Sequence, residues 1–227
     1  MVLNSYAKIN LTLSINNKLK SGLHEIQSHF CLINLSDKIE ISKINKKKDQ
    51  IFFKGFFAKY IKESNNSILN LLKFLRRLKL ISNFYSITVT KKIPVFAGLG
   101  GGTSNAAFVL RYLFKNKINK NLINKIQSFI GSDLKLFSYK QGFLYNLKTV
   151  KIVKKKKLIF LLSHPNIKCS TRDIYSRVKK YSKKDRFSLN NINTRKKFIN
   201  YILNNKNDLQ PIVEKKHPII KKLLTDI

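Results

Sequence analysis

KKIPVFAGLGGGTSNAAFVLRYLF, residues 91–114, is the stretch from which the fold is read. It follows SITVT, residues 86–90, whose alternation and β-branched residues predict a strand. Downstream, Ala106, Ala107, Val109, Leu110, Leu113 and Phe114 recur at helical spacing. A glycine loop therefore joins a strand to a helix that is expected to open at Thr103 and Ser104. Glycine is scarce, eight in 227 residues, yet four stand at 98, 100, 101 and 102. Glycines let backbone N–H groups approach an anion, the helix start adds positive potential, and hydroxyls add donors. The stretch reads as a phosphate cradle. It is not a P-loop, which needs Gly-Lys before the hydroxyl residue, whereas here Gly102 precedes Thr103 directly. Rossmann spacing from Gly98 would need a glycine at 103.

Alanine is scarcer still, with five in the chain: Ala97, Ala106 and Ala107 fall in this stretch, and Ala7 in a second short motif near the N-terminus. SYAKINLTLSI, residues 5–15, alternates Ala7, Ile9, Leu11, Leu13 and Ile15 with Lys8, Asn10, Thr12 and Ser14. It predicts one half-buried strand, with Lys8 and Asn10 about 7 Å apart on its polar face. From the strand alone, Lys8 reads as a solvated lysine. KSGLHEI, residues 20–26, places a turn at Gly22, and His24 taken alone reads as structural. FIGSDLKLF, residues 129–137, follows an amphipathic helix predicted over Leu122–Ile130 and ended by Gly131. Asp133 is one of only 11 acids, and it reads either as a general base or as a cap or turn carboxylate.

Composition narrows the class. At 43% hydrophobic and 25% charged residues, the chain is globular rather than disordered. Forty-six Lys and Arg against 11 Asp and Glu give a net charge of +35, which favours any polyanion. The lysines are scattered, however, and Asn and Ile are inflated with them. This pattern is a drift toward codons rich in A and T rather than a built basic face. The clusters Lys46–Lys48 and Lys154–Lys157 are expected to be solvated loops, the second a domain junction. The longest apolar runs, such as Leu158–Leu162, fall far short of the roughly 20 residues of a membrane span. The N-terminus lacks the charged and apolar regions of a signal peptide. Cys31 and Cys169 lack paired ligand spacing, which fits a reducing compartment, by default the cytoplasm.

Taken together, AKINLTL, GLHEI, PVFAGLGGGTSNAA and GSDLKLF resemble, in order and approximate spacing, the motifs of the GHMP small-molecule kinases. LSHPNIKCSTRDIY (162–175) and NDLQPIVEKKHP (207–218) extend the resemblance toward the end of the chain. It implies an α+β GHMP kinase fold: a ribosomal-protein-S5-like N-terminal domain, about residues 1–153, then a short, C-terminally truncated α+β domain over 154–227. The implied reaction is ATP-dependent phosphorylation of the 2-hydroxyl of 4-diphosphocytidyl-2-C-methyl-D-erythritol, a step of non-mevalonate isoprenoid synthesis. ATP and Mg²⁺ are the implied cofactors, and the partner is a small cytidine diphosphate substrate, with no specific nucleic acid and no membrane.

By the same resemblance Asp133 matches the catalytic base and Lys8 its partner lysine. Pro94, Val95, Phe96, Ala97, Gly98, Leu99, Gly100, Gly101, Gly102, Thr103 and Ser104 match the ATP phosphate loop, with Ser104 as a Mg²⁺ contact. Lys91 and Asn66 match positions near the nucleotide. Asn10 and His24 match substrate contacts, and Thr171 and Tyr175 the far wall of the cytidine pocket. Four departures stand out. Leu23 replaces an aromatic residue before the pocket histidine, a loss of about 1–3 kcal/mol of stacking. Lys135 replaces a proline, residues 142–150 reduce a glycine-and-acid motif to GFLYNLKTV, and the third glycine- and serine-rich motif is expected to be missing. Alternatives are another GHMP kinase, a reduced low-activity kinase, or a basic nucleic-acid-binding protein.

Overall fold

A computed structural model describes residues 1–154, 156–185 and 192–226. The chain folds as two compact units. The first comprises Met1–Lys8, Leu32–Val95 and Leu99–Tyr139, the second Ile9–Cys31, Phe96–Gly98 and Lys140–Ile227.

In the first unit, strands β1 (Val2–Asn10), β3 (His24–Ile44), β4 (Gln50–Lys54) and β5 (Phe84–Thr90) supply the sheet, with β1 and β3 continuing into the second unit. β5 runs antiparallel to β3, from Lys38 opposite Thr90 to Ile44 opposite Phe84. β4 runs parallel to β5, from Gln50 opposite Ser86 to Lys54 opposite Thr90. A parallel pair needs a crossover, and α1 (Ser67–Arg77) supplies it. Asn66 caps α1, its Oδ1 accepting from the Leu69 N–H at 2.9 Å. α2 (Gly101–Leu113) and α3 (Lys120–Ile130) complete the layer. Period-2 burial turns Tyr85, Ile87 and Val89 of β5 inward, where with Ile39 and Ile41 they meet Leu71, Leu72, Leu75, Val109, Leu110 and Ile126.

In the second unit, β2 (Ser14–Lys18) pairs with the start of β3 through a turn containing Gly22, at φ 81°. β6 (Gln141–Leu144) lies antiparallel to Ser28–Cys31 of β3, and β7 (Val150–Ile152) antiparallel to β6. Among the described residues four α-helices follow: α4 (Thr171–Ser176), α5 (Arg195–Asn204), α6 (Gln210–Lys216) and α7 (Pro218–Thr225). Phe143, Val153, Ile192 and Phe198 form one hydrophobic cluster of this unit.

Three expectations change. The single strand over residues 5–15 is two: β1 ends at Asn10 and β2 begins at Ser14. In the gap the Leu11 N–H still donates to the His29 carbonyl at 2.7 Å, and side chains add to the backbone bonds. Thr12 Oγ1 accepts from the His29 N–H at 3.1 Å, and the Ser28 hydroxyl donates to the Thr12 carbonyl at 2.6 Å. Second, Lys8 is not solvated: it is 2% exposed. Third, α2 opens at Gly101 rather than Thr103, so two of the glycines belong to the helix's first turn. Lys46–Lys48 are exposed between β3 and β4, as expected of a loop.

Candidate active site

The first unit brings Lys8 and Asp133 together. β1 carries Lys8 to its inner end, where its backbone N–H donates to the Leu99 carbonyl at 3.0 Å. That bond ties the strand to the glycine loop. α3 stops at Gly131, whose φ of 147° is open to glycine, and a Cβ there would stand 3.1 Å from Thr103 Oγ1. The chain then turns into a 3₁₀ segment, Leu134–Ser138, with Asp133 at its cap position. Its carboxylate makes no capping bond there; Oδ2 instead lies 3.1 Å from Lys8 Nζ. The lysine is 2% exposed and the aspartate side chain 30%. A buried ammonium thus holds and aims an accessible carboxylate. Of the two readings the sequence left open, base or cap, Asp133 does not act as a side-chain cap.

The loop has the form of an anion cradle. Gly98 and Gly100 are left-handed, at φ 72° and 68°. Gly100 caps α2, its carbonyl accepting from the Ser104 N–H at 2.8 Å. The amides of a helix's first turn have no partner within the helix. Here that turn is Gly101, Gly102 and Thr103, with no acidic side chain among them. Gly100 also packs closely, since a Cβ would lie 2.9 Å from Phe137 Cζ and 3.8 Å from Lys8 Cε. Ser104 lies inside, its hydroxyl donating to the Tyr6 carbonyl at 2.6 Å and 2.8 Å from that of Ser5. Lys91 is also buried, ion-paired with Asp37. Burial lowers its pKa, against the pull of Asp37.

In the second unit the ring of His24 lies 5.3 Å from that of Tyr175 and 6.4 Å from that of Tyr181, tilted by 38° and 35°. Burial, with Lys18 nearby, lowers the His24 pKa, so the ring is neutral at neutral pH. The Asn10 Oδ1 accepts from the Ser28 hydroxyl at 3.1 Å. Thr171 opens α4 and is exposed.

The GHMP kinases N terminal domain matches residues 66–134, which include the whole loop and Asp133. A 4-diphosphocytidyl-2-C-methyl-D-erythritol kinase of Pelagibacter ubique is 40% identical over 96% of this chain and 78% of its own length. This chain belongs to that kinase family. Kinases of the same name from Buchnera aphidicola and Ureaplasma parvum are 34% and 31% identical, over 76% and 89% of their lengths. The crystal structure of a 4-(cytidine 5'-diphospho)-2C-methyl-D-erythritol kinase superposes with a TM-score of 0.65 at 19% identity, covering 98% of this chain and 81% of that one. A mevalonate kinase structure reaches 0.53 at 16% identity, over 98% and 80%. The α+β GHMP kinase fold expected from the motifs is the fold of this chain.

Within this kinase family member, two residues that the motifs did not reveal stand out. Tyr181 reaches His24 because Ser182 is fastened to β2: its N–H donates to the Ile15 carbonyl at 2.8 Å, and its carbonyl accepts from the Asn16 amide at 3.2 Å. Asp37 is fully buried in β3. Period-2 spacing places it on the same face as Ile39 and Ile41, and an acid on an apolar face is a signal legible in sequence. Lys135 is buried, and its pKa is pushed down to about 8 by burial and by Lys120, against the pull of Asp133. Among the described residues no three His, Cys, Asp or Glu side chains gather into a metal cage, and no helix is long and apolar enough to cross a membrane. The Ser104 hydroxyl, matched above to a Mg²⁺ contact, is turned toward the Tyr6 carbonyl.

Proposed function

We propose that this chain transfers the γ-phosphoryl group of ATP to the 2-hydroxyl of 4-diphosphocytidyl-2-C-methyl-D-erythritol, in non-mevalonate isoprenoid synthesis and in the cytoplasm. The observation that carries the reading is the Lys8–Asp133 pair, a 3.1 Å contact between a buried lysine and a half-buried acid. Residues 1–153 supply the phosphate and proton chemistry, and residues 154–227 supply Thr171 and Tyr175 for the cytidine. As the hydroxyl oxygen bonds to the γ-phosphorus, its proton passes to a carboxylate oxygen of Asp133. The bond to the β–γ bridging oxygen breaks, and ADP leaves with that electron pair. Such proton transfer is worth about 10²–10⁴-fold.

Lys8 positions the Asp133 carboxylate and offsets charge that develops as the transfer proceeds. The amides of Gly101 and Gly102, on a helix N-terminus, answer the charge on the phosphate oxygens. Mg²⁺ carried by the nucleotide's own phosphates would need few protein ligands and would offset phosphate charge. Neutral His24 has one ring nitrogen that donates and one that accepts, which suits the mixed edge of a cytosine. Tyr175 and Tyr181 supply aromatic faces beside it, so that Tyr181 stands in for the aromatic residue replaced by Leu23. The test is ADP release with the cytidine substrate, homoserine and mevalonate offered in turn. Turnover with the cytidine substrate alone is expected. Turnover with another alcohol and none with this one would refute the assignment.

A further inference from the structure

Asp37 is the most enclosed acid of the first unit, and its hydrogen bonds lead to the two ends of the phosphate loop. Its Oδ1 accepts from the backbone N–H groups of Lys92 and Ile93, at 2.8 and 2.9 Å. These residues lead directly into Pro94. Its Oδ2 takes the Lys91 ammonium and the Asn105 amide, the latter at 3.2 Å. Asn105 lies one turn into α2, beyond the loop, and its Oδ1 accepts in turn from Lys91 Nζ at 3.4 Å. All three side chains are nearly inaccessible: Asp37 is 0% exposed, and Lys91 and Asn105 are each 3%.

We propose that Asp37 is a positioning residue for the nucleotide: one carboxylate clamps the chain on both sides of the segment Pro94–Gly100. The chemistry suits the task. A carboxylate is an acceptor with several lone-pair sites, so it can hold two backbone amides, an ammonium and a side-chain amide at once. A loop whose ends are fastened before ligand arrives has less freedom to lose when its amides close on phosphate. Gly101 belongs to the same device. A Cβ there would lie 3.1 Å from Ile93 Cγ2 and 3.3 Å from Lys91 Nζ, so the start of α2 sits directly against the clamped strand end. Lys91, which the family pattern places near the nucleotide, acts on it through this clamp. Stability alone is a poor reason for the arrangement, because a buried ion pair is often replaced by apolar residues of similar volume without loss.

The inference rests on the loop's holding ATP, and wild-type turnover tests that reading separately. The clamp is tested by D37L/K91M, which removes the pair without leaving a buried charge, and by D37N, which keeps an acceptor for the Lys92 and Ile93 amides. Folding is checked first by circular dichroism. In D37L/K91M, KM for ATP is expected to rise about 10-fold or more, with KM for the cytidine substrate unchanged. D37N should fall between this variant and wild type. A purely structural role would lower the active fraction and move neither KM. If D37L/K91M does not fold, D37N carries the comparison, and an unchanged KM for ATP overturns the proposal. Failure of both to fold also overturns it, by making the network a condition of folding instead.

Discussion

Gly100→Ala is the substitution for which the structure specifies the cost most closely, and Gly98→Ala is its natural control. Both glycines are left-handed, at φ 72° for Gly98 and 68° for Gly100. An alanine in that region costs about 1–2 kcal/mol at either position. The surroundings differ. Nothing lies within 4 Å of a Cβ built on Gly98, whereas one on Gly100 meets Phe137 Cζ at 2.9 Å. Phe137 is 1% exposed and packed in the core of the first unit, so it has no room to retreat. Overpacking of that kind costs a further ~1–3 kcal/mol. Gly98→Ala should therefore lose about 1–2 kcal/mol and Gly100→Ala about 2–5. For a chain of this length each kcal/mol is about 2–4 °C in Tm. The same new methyl group would stand 3.8 Å from Lys8 Cε. The part of the chain it disturbs is therefore the part that presents Lys8 to Asp133, and kcat should fall with stability. Thermal melts of the two variants beside wild type, with kcat for each, provide the assay. Equal melting temperatures for the two would refute the contact with Phe137 as the origin of the glycine requirement.

Alanine at Tyr175 or at Tyr181 should raise KM for the cytidine substrate and leave KM for ATP alone. A lost base–aromatic stack is worth about 1–3 kcal/mol, or about 5- to 150-fold in KM at 1.4 kcal/mol per tenfold. An unchanged KM in Tyr181→Ala would remove that residue from the pocket while leaving the rest of the reading intact. His29 makes stability depend on pH. Its ring lies against Phe143, Phe198 and Tyr201, and burial pushes its pKa down to about 3 from the ordinary 6.5. Between those values the unfolded chain binds the proton and the folded chain does not, so stability is full above 6.5 and declines as pH falls. The slope is about 1.4 kcal/mol per pH unit, or about 2 kcal/mol between pH 7 and pH 5. Urea unfolding at the two pH values should show the decline in wild type and a smaller one in His29→Phe.

Much of the first unit was legible because its signals are local. β5 and α2 follow from period-2 and helical spacing, and the cradle from glycines concentrated in a chain that holds few. Asp133 was legible as a candidate on the same ground of scarcity. What sequence could not convey was which polar residues face inward. Lys8 alternates with apolar neighbours like any solvated lysine; its burial depends on Asp133, 125 positions away along the chain. The interval between β1 and β2 is held by bonds of Leu11 and Thr12 to Ser28 and His29 of β3, which no local pattern foretells. Tyr181 approaches His24 through the attachment of Ser182 to Ile15, another nonlocal bond. Asp37 is the opposite case, because its parity with Ile39 and Ile41 was visible and only its four polar contacts were not.

The measurement that bears most directly on the assignment of Lys8 and Asp133 as the catalytic pair is steady-state turnover of Asp133→Asn with ATP and 4-diphosphocytidyl-2-C-methyl-D-erythritol. Asparagine keeps the shape of the side chain and loses the basic carboxylate. With circular dichroism and KM for ATP unchanged, kcat should drop by about 10²–10⁴-fold. An Asp133→Asn variant that folds, binds ATP and turns over at the wild-type rate would contradict it.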